Sequence, residues 1–136
     1  MNLSYRHMQG SVPVTVLTIE GNLDGSNYTQ VINQAKQLYQ AGTRRLLLDL
    51  SQMPYMSSSG IVALHTIAVM LRTGRLPQSE DGWAALHAIN EESSELRKEI
   101  KLFQPAERVR RTLQLSGVDR FLEICDDLET AVNSFV

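Results

Sequence analysis

The chain has 136 residues, enough for one domain at the usual ~150 residues each and too few for a second. Apolar residues make up 43% and charged residues 21%, a balance that suits a packed core and excludes a disordered chain. Thirteen basic against fifteen acidic side chains leave a net charge of -2, so the overall charge draws the chain to neither nucleic acid nor an anionic membrane.

Met1 to His7 lacks the apolar run of a signal peptide. Leu3 to Met8 reads as a weak strand, which Gln9-Gly10-Ser11 turns into a hairpin with the next. That second strand, Val12 to Ile19, is β-branched and apolar at successive positions, so both of its faces should be covered. Pro13 fits only at its start or at a sheet edge. Gly21 to Ser26 is a turn cluster carrying candidate N-caps. Val31, Ile32, Ala35, Leu38 and Tyr39 then keep the spacing of an amphipathic helix that Gly42 ends at C′.

Arg44 to Leu50 predicts a short buried strand, with Leu46 to Leu48 apolar on both faces. A loop leads to Ser57-Ser58-Ser59-Gly60, after which Ile61, Leu64, Ala68 and Leu71 keep helical spacing. Thr73 to Lys98 changes character: a loop with Gly74 and Pro77, then a half-amphipathic helix through Trp83, Leu86, Ile89 and Leu96. Ile100 to Phe103 is a strand, and Pro105 is expected at N1 of a helix carried by Val109 and Leu113 and stopped by Gly117. Arg120 to Ile124 is a last strand, and Asp126 or Asp127 caps a final helix through Leu128, Ala131, Val132 and Phe135. The alternation of strands with helices argues for one α/β sheet.

Chemistry is sparse along this chain. The single Cys125 cannot form an internal disulfide, and with three scattered histidines it makes no metal-ligand cluster. A lone thiol points to a reducing compartment, so a cytoplasmic location is expected. Neither G-x-G-x-x-G nor G-x-x-x-x-G-K-[ST] occurs, which removes the usual phosphate-cradling loops, and no cofactor is expected. A serine hydrolase needs a histidine and an acid converging on the serine. His65 lies seven residues after Ser58, about two helical turns or ~10 Å along the helix. There is also no G-x-S-x-G elbow. Arg108, Arg110 and Arg111 make a basic face beside Glu107, a solvated face or a contact for an acidic partner. His7 and His87 have no evident partner, Trp83 reads as packing, and Cys125 as a small buried hydrophobe.

The serine triplet is the most informative feature. A serine at the start of a buried helix caps an orphan N–H, yet capping needs one serine, not three. The alternative is a hydroxyl held at a helix mouth within reach of a partner enzyme. A phosphate there adds about -1.5 to -2 charges, which the helix N-terminus tolerates. A partner surface packed on the same spot does not, because it would have to desolvate the phosphate.

Three stretches in order carry a resemblance: Glu20-Gly21-Asn22-Leu23-Asp24, then Leu47-Leu48-Asp49-Leu50-Ser51, then Tyr55-Met56-Ser57-Ser58-Ser59-Gly60-Ile61. The run Gln104 to Asp119 adds a fourth. Together they resemble the STAS-domain family, and more narrowly the bacterial anti-sigma factor antagonists. The resemblance implies a single α/β domain over residues 1–136, a mixed sheet flanked by about four helices, with an insertion at about 74–98 before the fourth strand. It implies a non-enzymatic regulator that captures the ATP-binding domain of an anti-sigma factor serine kinase and is released by serine phosphorylation, with a phosphatase to reset it. The phosphoacceptor then falls on Ser58, with Ser59 and Ser57 as lesser candidates. Asn22, Asp24, Ser57, Ser58, Ser59, Gly60 and Ile61 form the partner-binding set. The family's aspartate before the phosphoacceptor is Ser57 here. That departure and the insertion keep two alternatives open: a STAS scaffold that assembles with its own kind, and a cytoplasmic STAS subunit of a lipid transporter. None of these readings involves nucleic acid or insertion into a membrane.

Overall fold

The computed structural model describes residues 1–75 and 97–136. β1 (Asn2–Gln9) and β2 (Pro13–Glu20) pair antiparallel without a break, from Asn2 opposite Glu20 to Gln9 opposite Pro13. Helix α1 (Tyr28–Gln40), strand β3 (Leu46–Asp49) and helix α2 (Ser58–Thr73) follow. Beyond residue 96 come β4 (Ile100–Phe103), α3 (Glu107–Ser116), β5 (Glu123–Cys125) and α4 (Leu128–Ser134). The strands lie in the order β1-β2-β3-β4-β5, and every pair after the hairpin is parallel. This is the mixed sheet with four helices that the sequence led us to expect. The anticipated helix through Trp83, and His87 with it, lies outside the described residues.

The continuous apolar run of β2 has its cause in two cores. Leu17 and Ile19, with Leu46, Leu48, Ile100 and Leu102, face α1, α2 and α3. Val14, Val16 and Leu47 face the other way and pack on Ala131, Val132 and Phe135. A strand covered on one side only would alternate instead. Pro13 is the first residue of β2, where its missing N–H costs no ladder bond. α4 is short but well tied. Asp127 Oδ2 accepts from Thr130 N at 2.8 Å, and Lys101 Nζ reaches Ser134 Oγ at 2.7 Å and Glu123 at 2.9 Å.

Three expectations are corrected. Pro105 is not at N1: the ladder runs one residue past β4, with Gln104 N–H donating to Cys125 O at 2.8 Å. The chain therefore turns at Pro105 and Ala106, and α3 starts at Glu107. Arg120 is not in a strand. Val118–Arg120 form a 3₁₀ turn whose Val118 carbonyl takes the N–H of Phe121 and Leu122, burying all three apolar side chains before β5 begins. Lastly, the N-cap position of α1 falls outside the Gly21–Ser26 cluster, on Asn27, whose side chain makes no capping hydrogen bond. Gly42 and Gly117 do end their helices, at φ 117° and 80°.

Candidate functional site

The parallel strands β2 and β3 both end at one rim of the sheet, and their continuations meet there. Leu23 and Met56 form an isolated parallel bridge. Leu23 N–H donates to Tyr55 O at 3.0 Å, and Ser57 N–H donates to Leu23 O at 2.9 Å. Both bridging side chains are buried, so the Asn22–Asp24 loop is fixed beside the N-terminus of α2 by hydrogen bonds and by core packing. Contact is close enough that a Cβ on Gly25 would stand 3.4 Å from Ser59 Oγ.

The three serines take separate roles. Ser57 is the N-cap of α2, with extended backbone and its Oγ accepting from Ser59 N at 3.2 Å. Its carbonyl accepts from Gly60 N at 3.0 Å. Ser58 is the first helical residue, exposed, and its hydroxyl makes no hydrogen bond among the described residues. Ser59 is half-buried against the loop. Gly60 and Ile61 are buried and shape the mouth from beneath. A Cβ on Gly60 would come 2.5 Å from Met56 Cγ and 3.1 Å from Leu23 Cγ, so only glycine lets α2 approach the bridge.

Asp24 is occupied by its own turn. Its Oδ1 accepts from Ser26 N at 2.9 Å and from Ser26 Oγ at 2.6 Å, and these bonds hold its carboxyl below the ordinary range. Asn27, which the sequence reading passed over, holds the loop together. Its Oδ1 accepts from Asp24 N at 3.0 Å and its Nδ2 donates to Asn22 O at 2.8 Å. An Asn one residue before a helix is a cap signal in general. Its side chain turns back to the loop instead, which spacing does not reveal.

The matched stretch decides the family: the model of the STAS domain fits residues 5–76, which run from β1 through the serine mouth to the end of α2. The chain belongs to the STAS-domain family. No curated protein sequence matches this STAS domain. Its fold is similar to two solved structures. One is a candidate anti-sigma factor antagonist from Thermotoga maritima, with TM-score 0.69 and 18% identity over 95% of this chain and 90% of that one. The other is an anti-sigma factor antagonist from Mycobacterium paratuberculosis, with TM-score 0.63 and 15% identity over 98% of this chain and 93% of that one.

Other charged candidates of this STAS domain are dispersed. Arg108 lies 5.3 Å over the ring of Tyr55, close to the serines in sequence, whereas Arg110 pairs with Asp126 at 2.6 Å. Arg111 stays exposed, so the three arginines do not act as one face. His65 is buried on α2 with its ring edge-on to Phe121, and burial pushes its pKa down to about 4. It belongs to the core and not to the serines. Cys125 is half-buried, and burial with the nearby Glu123 pushes its thiol up. Among the described residues no group of His, Cys, Asp and Glu could hold a metal ion, and no helix is long and apolar enough to cross a membrane.

Proposed function

We propose that this STAS domain is an anti-sigma factor antagonist whose switch is Ser58. One observation carries the reading: Ser57 takes the cap, and the next hydroxyl is left exposed, with no hydrogen bond among the described residues, at the mouth of a 16-residue helix. The likeness in fold to two structures described as anti-sigma factor antagonists supports it. Unmodified, the mouth and the Asn22–Asp24 loop capture the ATP-binding domain of an anti-sigma factor serine kinase, so that the sigma factor is freed. The kinase moves the γ-phosphoryl group of ATP onto Ser58 Oγ and supplies the base that takes the hydroxyl proton, since among the described residues none of the hydrogen bonds at Ser57–Ser59 involves a histidine or a carboxylate. The new charge of about -1.5 to -2 suits the helix N-terminus and opposes a packed partner, so the complex parts and a phosphatase resets it. Ser57 stands in for the family's aspartate because capping asks only for an oxygen acceptor at that position.

Intact mass after incubation with ATP and lysate of the source cells tests the switch. One added phosphate, lost in Ser58→Ala and kept in Ser59→Ala, is expected. No phosphate on any variant, with the kinase active on another antagonist, overturns it in favour of a STAS scaffold or transporter subunit. Sizing and co-purification then separate those two.

A further inference from the structure

The far end of the sheet, where β2 and β3 begin and α1 ends, holds an open cleft of about 650 Å³ that the serine switch does not use. Its floor is a chain of side-chain hydrogen bonds. His7 Nδ1 lies 3.1 Å from Thr15 Oγ1, which lies 2.8 Å from Thr43 Oγ1. Both threonines are buried, so two hydroxyls sit at the bottom of a water-accessible hollow.

Two guanidiniums stand on the rim, beside the main-chain oxygen of Val136. Arg44 and Arg45 both line it, and no Asp or Glu does among the described residues. Each guanidinium is already oriented. Arg44 stacks 3.8 Å over the Tyr39 ring, and its Nη1 donates to Tyr39 O at 2.8 Å and Thr43 O at 2.9 Å. Arg45 donates from Nε to Val136 O at 2.8 Å and from Nη1 to Arg44 O at 3.0 Å. In both, Nη2 makes no hydrogen bond among the described residues. Two guanidiniums already held, Arg44 through Nη1 and Arg45 through Nε and Nη1, need little further ordering to bind an anion with Nη2. Val12, Pro13 and Ala41 add apolar wall. The volume falls within the range of small-molecule sites, which combine apolar walls with a few convergent polar groups.

We infer that this cleft binds a small organic anion, a carboxylate or phosphate monoester head on a short apolar body, with Arg44 and Arg45 on the head and Thr43 beneath it. The site is independent of Ser58, so failure of either reading leaves the other standing.

The test is titration of the isotopically labelled full chain with sodium hexanoate, followed by amide chemical shifts. Saturable shifts at residues 12, 14, 15 and 41–45 are expected, with tighter binding than acetate, and weaker binding as ionic strength rises. Hexylammonium, with the same tail and opposite charge, should produce none. Arg44→Gln and Arg45→Gln should each weaken hexanoate binding about tenfold or more, as loss of a charge-assisted hydrogen bond does. Thr43→Val, which leaves both arginines in place, should weaken it too. Absence of saturable shifts at those amides overturns the proposal, as does equal binding of hexylammonium or acetate. So does unchanged affinity in folded arginine variants. Should those variants lose their native spectrum, the salt dependence and the hexylammonium comparison on the unaltered chain decide alone.

Discussion

Ser57, Ser58 and Ser59 carry the same hydroxyl, and their backbone positions give it three different uses. Ser57 precedes α2 in extended conformation and accepts from Ser59 N, Ser58 opens the helix facing solvent, and Ser59 meets the loop. Ser57→Ala should therefore cost about 1 kcal/mol in urea unfolding, the usual loss on removing a side-chain cap. Ser57→Asp should keep that stability, since a carboxylate also accepts and its charge suits the helix N-terminus. Equal stability of all three forms would mean that Ser57 does not cap α2 in solution. Gly60→Ala tests the layer beneath. Its Cβ would press on Met56 Cγ at 2.5 Å and on Leu23, and overpacking of this kind costs about 1–3 kcal/mol. At this scale the sequence offered a serine cap as one of two readings of the triplet and did not say which serine would serve, because spacing carries no backbone angles. Asn27 was not legible at all, since its side chain serves the backbone of Asn22 and Asp24 and not the helix it precedes.

At the scale of the element, legibility follows burial. β2 was readable because Val14 to Leu17 are all buried, with β-branched Thr15 between the apolar side chains of both faces. The start of α3 was misread because one hydrogen bond, Gln104 N–H to Cys125 O, extends the β4–β5 ladder past the residues whose types signal a helix. α2 gives the clearest consequence. It is buried at ten positions, and one of them is His65, held against Phe121 with its pKa near 4 by burial alone. The ordinary histidine value is 6.5, so the unfolded chain takes up the proton first as pH falls. Stability from the neutral ring is thus full above about pH 6.5 and is lost progressively down to about pH 4. The drop between about pH 7 and about pH 4.5 should reach 2–3 kcal/mol at most, read as the shift of the urea midpoint. His65→Leu should remove most of that slope while leaving the protein folded at neutral pH. Asp24 and Asp127, whose carboxyls are lowered by hydrogen bonds from Ser26 and Thr130, act in a separate window. Their contribution persists above the ordinary carboxylate pKa of 3.8 and fades below it. A slope that survives His65→Leu would show that another group titrates there.

Across the whole molecule the sheet separates two kinds of work. Its faces are filled, one by α1, α2 and α3 and the other by α4 with Phe135, and both candidate sites lie at opposite strand ends, where chain segments meet rather than pack. The serine mouth is supported by the Leu23–Met56 bridge, yet the Ser58 hydroxyl takes no part in that support. A negative charge on Ser58 should then leave the fold almost untouched. Ser58→Asp is expected to change unfolding stability by no more than about 1 kcal/mol, with the sign favouring the variant because the charge meets the helix N-terminus. On the proposed function, capture of a kinase's ATP-binding domain, measured by calorimetry, should weaken by roughly 2–5 kcal/mol, as when one charge is left unpaired in a buried interface. Gly60→Ala supplies the contrast, because it loosens the support under the mouth and should lower stability and capture together. If Ser58→Asp also lost stability in proportion to capture, the serine would be part of the scaffold. Phosphorylation would then act by loosening the domain and not by marking its surface.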